Sequence, residues 1–135
     1  MSQRTYHDPL HGAIRLERSD PAEALAIDLI DSAPFQRLRR IRQLGTAFLT
    51  FHGAESSRFT HSIGVLHVAR LALNNLVRLH PELEIHRGVL LAAALLHDVG
   101  HGPLSHSGEE MYGLQHESWS GMLIREHPAL RDRLE

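Results

Sequence analysis

The segment from Leu90 to His106, LLAAALLHDVGHGPLSH, constrains this chain more than any other stretch. An apolar run ends abruptly in His97-Asp98, and a loop carrying His101, His106, Gly100 and Gly102 follows it. An imidazole beside a carboxylate offers a metal two ligands of different hardness, and an apolar helix behind them would hold both and limit access by water. A helix that simply ends on polar residues would read the same way, because a lone histidine is more often a satisfied core side chain than a ligand. The other motifs separate these readings.

With 135 residues the chain has room for one domain around a single hydrophobic core. It contains no cysteine, so any metal must be held by imidazole and carboxylate, as suits a reducing cytoplasm. The formal charge of −2 provides no global basic field for nucleic acid or an anionic membrane surface. No apolar segment precedes Tyr6, and the longest apolar run, Val89 to Leu96, is too short to span a bilayer. A soluble, cytoplasmic protein is expected. Local charge differs from the global balance: all 14 basic residues are arginines, and four of them fall between Arg37 and Arg42. The 12 histidines are dispersed, and metal chemistry is one explanation for them.

Thr5 to Leu16 reads as a turn around Asp8-Pro9-Leu10-His11-Gly12 between short extended pieces, since Pro9 biases Asp8 away from helix and Gly12 permits a tight reversal. Asp20 is a plausible N-cap for a helix with Pro21 at its first position. Phe35, Leu38, Ile41 and Leu44 recur every three residues and predict a second helix over Pro34 to Leu44, stopped by Gly45. Its other side carries Gln36, Arg39, Arg40 and Gln43. That strip is either a solvated surface or a phosphate or nucleotide contact, for which guanidinium forks are well suited.

From His61 to about Leu79 two apolar stripes coexist, one through Val65, Val68 and Ala72 and the other through Ile63, Leu66, Ala69, Leu73 and Leu76, which predicts a largely buried helix. A histidine opening such a helix needs a partner for each ring nitrogen, a metal or a hydrogen bond. A further helix from about Ile85 brings His97 and Asp98 to its C-terminal end, and Gly100, Gly102 and Pro103 stop it. Ser107 to Tyr112 reads as a helical turn, His116 to Glu126 as an amphipathic segment, and Ala129 to Glu135 as the start of another. The expected fold class is all-α.

Four blocks then stand in one order: DPLHG at Asp8 to Gly12, FQRLRRIRQLG at Phe35 to Gly45, RFTHSIGV at Arg58 to Val65, and LLHDVGHGPLSH at Leu95 to His106. Together they resemble the HD-domain superfamily of metal-dependent phosphohydrolases, and within it the branch of deoxynucleoside triphosphate triphosphohydrolases that includes bacterial dGTPase-like enzymes and the vertebrate SAM-and-HD-domain enzyme. The resemblance implies a helical HD fold and a divalent ion (Mn, Fe, Mg, Zn or Ni) on His61, His97 and Asp98. It implies His106 as catalytic histidine, with Glu109 where the family commonly has aspartate, and His116-Glu117 completing a proton relay. Arg58 matches an arginine that contacts the substrate's phosphates. Gln43 and Leu44 match residues that touch the deoxynucleoside, and His101 belongs to the same substrate-side series. Asp31, Gln36 and Arg39 match positions used for a regulatory nucleotide, and a homo-oligomer is typical of the family.

The family's fourth metal ligand, an aspartate about a hundred residues beyond the pair, has no counterpart here; Asp132 stands in no matching context. Residues 1–135 are therefore expected to be a single HD domain forming the N-terminal part of a longer enzyme, or else a reduced module with an incomplete site. The implied reaction is dNTP plus water giving deoxynucleoside and triphosphate. A non-catalytic nucleotide-binding module is the competing reading. A different HD nucleotidase or cyclic-nucleotide phosphodiesterase is a third, against which the FQRLRRIRQLG block argues.

Overall fold

The computed structural model describes residues 3–113 and 115–135. The chain opens with an antiparallel hairpin, β1 (Gln3–Asp8) and β2 (Gly12–Glu17), paired in register from Gln3 opposite Glu17 to Asp8 opposite Gly12. The Asp8 carboxylate closes the turn by accepting from the Leu10 and His11 amides at 2.8 Å each. The short extended pieces are thus a true two-stranded sheet, so all-α describes the bulk of the fold and not all of it. Among the described residues seven α-helices follow: α1 (Pro21–Ile30), α2 (Ala33–Gln36), α3 (Arg58–Val77), α4 (Arg87–Leu96), α5 (Ser105–Tyr112), α6 (His116–Glu126) and α7 (Pro128–Leu134).

The local chemistry explains the helix starts. Asp20 accepts from the amides of Ala22 and Glu23, and Pro21 occupies the first turn, where its missing N–H costs nothing. Ser57 accepts from the Thr60 amide, so α3 begins at Arg58 and His61 lies one turn inside it, not at its first position. Two expected helices are shorter than their periodicity suggests. The Phe35 to Leu44 pattern gives α2, then a 3₁₀ turn over Arg37–Arg40, after which Ile41 turns extended. There the backbone pairs across to the start of α3: Gln43 N donates to Ser56 O at 2.9 Å and Arg58 N to Ile41 O at 2.8 Å. Similarly, Pro81–His86 forms a 3₁₀ turn ahead of α4, and His97 caps α4 at its C-terminus.

The core gathers Ile14 and Leu16 from β2, Ile27 and Ile30 from α1, Phe35 and Leu38, Leu66 from α3, and Leu91 and Leu95 from α4. Helix α4 packs against both α1 and α3, which fixes its C-terminal end, where His97 and Asp98 sit. Only one stripe of α3 takes part. Ile63, Leu66 and Leu73 are buried, whereas Val68 and Leu76 are about half exposed, so the expectation of a largely buried α3 is corrected. A buried ion pair ties hairpin, α1 and α3 together: Arg70 Nη1 reaches Glu23 Oε1 at 2.8 Å and the Arg15 carbonyl at 2.6 Å, while Glu23 Oε2 accepts from the Glu17 amide. No described helix is long and apolar enough to cross a membrane.

Candidate metal centre and proton relay

The one-turn offset from the Ser57 cap faces His61 toward the end of α4. Its Nε2 lies 3.6 Å from Asp98 Oδ2, and His97 Nε2 lies 3.4 Å from Asp98 Oδ1. One ligand atom from each of the three residues falls within 4.8 Å of the others. Separations near 3.5 Å are too long for good hydrogen bonds. They are the spacing of two donors that each sit about 2.1 Å from a shared ion. His97 donates its Nδ1–H to the Ala94 carbonyl at 2.8 Å, which fixes the ring and leaves Nε2 with its lone pair facing Asp98. Burial lowers the His61 pKa against the pull of Asp98 and favours the neutral, ligating ring. Burial alone would raise the Asp98 pKa, but His101, Arg58 and His97 hold the carboxyl well below the usual carboxylate range. The donor set fits a divalent ion.

A second cluster adjoins the first. Glu109 Oε2 takes the Nδ1–H of His106 at 2.8 Å, and Oε1 takes both the Nδ1–H and the amide of His116, at 2.5 and 2.8 Å. His101, fully buried, stacks on His116 with ring centroids 3.9 Å apart and 10° between planes. Although His101, His106, Glu109 and His116 also bring ligand atoms within 4.8 Å, both Glu109 oxygens already accept hydrogen bonds, which marks this group as a hydrogen-bonded relay. The longer Glu109 side chain reaches both histidines from its place on α5. Glu117 lies apart from this relay: it is exposed and lines a separate cleft with His97, Ser120 and Ile124.

Burial would raise the Glu109 pKa, but hydrogen bonds from His106 and His116 bring it down from 4.5 to about 2. Because the folded value is depressed, Glu109 contributes stability that is full above about pH 4.5 and lost as pH falls toward 2. The stability difference between the wild type and Glu109→Gln, followed by denaturant titration, should therefore shrink across that window; a difference independent of pH would contradict the assignment.

Arg58 departs most from expectation. Its side chain is 4% exposed and spends all three nitrogens inside the protein. Nη1 donates to Asp98 Oδ2 at 2.7 Å, Nε to Ser105 Oγ at 3.1 Å, and Nη2 to the Gln43 carbonyl at 3.2 Å. The Gln43 carbonyl thereby shares the Arg58 guanidinium with Asp98, and the adjoining Leu44 is partly exposed. Gln36 and Arg39 also meet, through Arg39 Nε and Gln36 Oε1 at 2.7 Å, with the guanidinium 3.5 Å from the Phe59 ring centroid. Asp31 instead accepts a two-pronged bond from Arg4.

Sequence reasoning missed several supports of this site. Arg37 clamps the loop after α4 by donating to the carbonyls of Val99 and His101 at 2.6 and 2.7 Å. Ser120 accepts from the Gly100 amide at 2.9 Å and donates to the His97 carbonyl at 3.1 Å, docking α6 on the His-Asp turn. Its place one turn after His116 on α6 was the available signal. Gly100 permits that approach: a Cβ there would collide with the His116 carbonyl and the Ser120 amide, and would lie 2.8 Å from Ser120 Oγ. Overpacking of this severity costs about 3 kcal/mol. Gly100→Ala should lower the denaturation midpoint accordingly, and an unchanged midpoint would show that α6 is free to move away.

The HD domain family model matches residues 58–134, and the chain belongs to that family. It is 46% identical over 123 residues to uncharacterized protein YwfO of Bacillus subtilis (strain 168), covering 90% of this chain and 27% of that protein. It is 43% identical over 108 residues to deoxynucleoside triphosphate triphosphohydrolase SAMHD1 of Homo sapiens, covering 78% and 16% respectively. For the Danio rerio protein of the same name the identity is 42% over 112 residues, covering 81% and 17%. The chain thus spans about a quarter of the bacterial relative's length and about a sixth of the vertebrate relatives'.

Proposed function

We propose that this chain carries the catalytic half-site of a metal-dependent phosphohydrolase that cleaves deoxynucleoside triphosphates to deoxynucleoside and triphosphate. The observation that carries this reading is the juxtaposition of two groups on α3, α4, α5 and α6. His61, His97 and Asp98 form a three-donor nest, and the His106–Glu109–His116 relay lies directly beside it. The names of the vertebrate relatives support the substrate class.

A divalent ion held by His61, His97 and Asp98 would neutralise phosphate charge and lower the pKa of attacking water. The chain's own groups supply the rest. In the overall reaction the bond between the α-phosphorus and the 5′ oxygen breaks, the oxygen of water ends on triphosphate, and a proton must reach the departing nucleoside oxygen. His106 is the donor. Its Nδ1–H is committed to Glu109, which fixes the ring, and the ring is largely exposed and so open to substrate. His116 braces Glu109 from the other side. Gln43 and Leu44 receive the deoxynucleoside, and the buried Arg58 and His101 hold the Asp98 carboxylate from inside the protein. The Gln36–Arg39 pair and Asp31 are proposed as contacts of a regulatory nucleotide, in a homo-oligomer.

The test is triphosphate release from each dNTP by the purified protein loaded with Mn²⁺. Release of triphosphate is expected. Hydrolysis of simple phosphodiesters without it would overturn the substrate assignment, and nucleotide binding without any hydrolysis would favour a non-catalytic module.

A further inference from the structure

At Leu104 and Ser105 the backbone is held against the preference of the residues that form it. Ser105 is buried, and both it and Leu104 lie in the left-handed region, at φ +52° and +66°. Neither is a glycine, and L-residues avoid this region because Cβ crowds the backbone. Strain of this kind persists where the surroundings over-determine the geometry, and it clusters at functional sites. The surroundings are visible. The Ser105 hydroxyl donates to the Arg42 carbonyl at 2.7 Å and accepts from Arg58 Nε at 3.1 Å. Behind it, Gly45 packs so closely on Leu104 that a Cβ would fall 2.5 Å from the Leu104 oxygen.

These bonds form one strut. Arg58 presents Nη1 to Asp98 Oδ2 at 2.7 Å while its Nε and Nη2 are held by Ser105 and the Gln43 carbonyl. The strut orients the carboxylate: Oδ2 is engaged by Arg58, and Oδ1 is turned toward the Nε2 atoms of His97, His101 and His116 at 3.4, 3.5 and 3.9 Å. Among the described residues, Ser105 is the only side chain bonded both to Arg58 and to the segment carrying Gln43 and Leu44.

We propose that Ser105 is a positioning residue for the metal carboxylate: acting through Arg58, its strained hydroxyl sets the orientation of Asp98 and couples the metal site to the Arg42–Leu44 segment. This rests on the metal reading of His61, His97 and Asp98. The strain makes the role separable from stability. A glycine adopts φ +52° freely, so Ser105→Gly relieves backbone strain while deleting the hydroxyl. Loss of an outer-shell partner of a metal ligand typically weakens metal binding by about 10- to 100-fold.

The experiment is Mn²⁺ titration of metal-stripped full-length protein, by calorimetry and by Mn²⁺ electron paramagnetic resonance, for the wild type, Ser105→Gly and Ser105→Ala, with thermal midpoints measured on the metal-free forms. Ser105→Gly is expected to keep a midpoint close to wild type and to lose about tenfold or more in Mn²⁺ affinity. Ser105→Ala should lose both, because it keeps the strain without the hydrogen bonds. Wild-type affinity in Ser105→Gly overturns the positioning role. A wild-type protein that binds no Mn²⁺ overturns the metal reading beneath it, which is a distinct outcome.

Discussion

Asp98→Ala is expected to abolish metal retention and hydrolysis together, and to destabilise the protein even without metal. Asp98 and Arg58 are both almost fully buried, with their charged atoms 2.7 Å apart. Removing one partner leaves the other charge buried and uncompensated, which typically costs about 3 to 5 kcal/mol. The loss of metal would then be confounded with partial unfolding, so Asp98→Asn is the companion variant. The amide keeps the side chain's shape and can still accept from Arg58 through its oxygen, but it is a poor ligand for a divalent ion. Elemental analysis of purified Asp98→Asn should show no retained metal in a protein with native circular dichroism. Native metal content in either variant would remove Asp98 from the ligand set.

The second large effect falls on His106. A positioned general acid typically contributes about 10²- to 10⁴-fold to rate. His106→Ala should lower kcat by that order and leave metal content unchanged, since the His106 ring bonds Glu109 and is absent from the His61, His97 and Asp98 nest. It should also cost little stability, because the ring is largely exposed. A drop of only a few-fold would transfer the acid role to His116, the other histidine on Glu109.

Much of this was legible in the sequence because it was local. Asp20-Pro21 announced α1, and the apolar run before His97-Asp98 the helix that holds them. What was misread depends on partners far away along the chain. The three-residue spacing from Phe35 to Leu44 suggested one helix, but Ile41 and Gln43 exchange backbone bonds with Arg58 and Ser56, a pairing no window around Leu44 contains. Val68 and Leu76 fit an apolar stripe of α3, yet the core meets only the Ile63–Leu66–Leu73 side. Arg58 was legible as an arginine near the site, whereas its burial against Asp98, 40 residues on, was not. The same holds for Arg37, whose two carbonyl partners lie 62 and 64 residues away. Ser105 stood inside a quoted motif without a role, because only the folded backbone reveals the conformation that its hydroxyl bonds maintain.

If His61, His97 and Asp98 hold a divalent ion that serves phosphate hydrolysis by the adjoining relay, metal and activity should stand or fall together. Metal content and dNTP-dependent triphosphate release are to be measured on the same preparations of the wild type and of Asp98→Asn. Retained metal and triphosphate release are expected in the wild type, both lost in Asp98→Asn. A folded wild-type protein with neither bound metal nor triphosphate release would contradict the assignment.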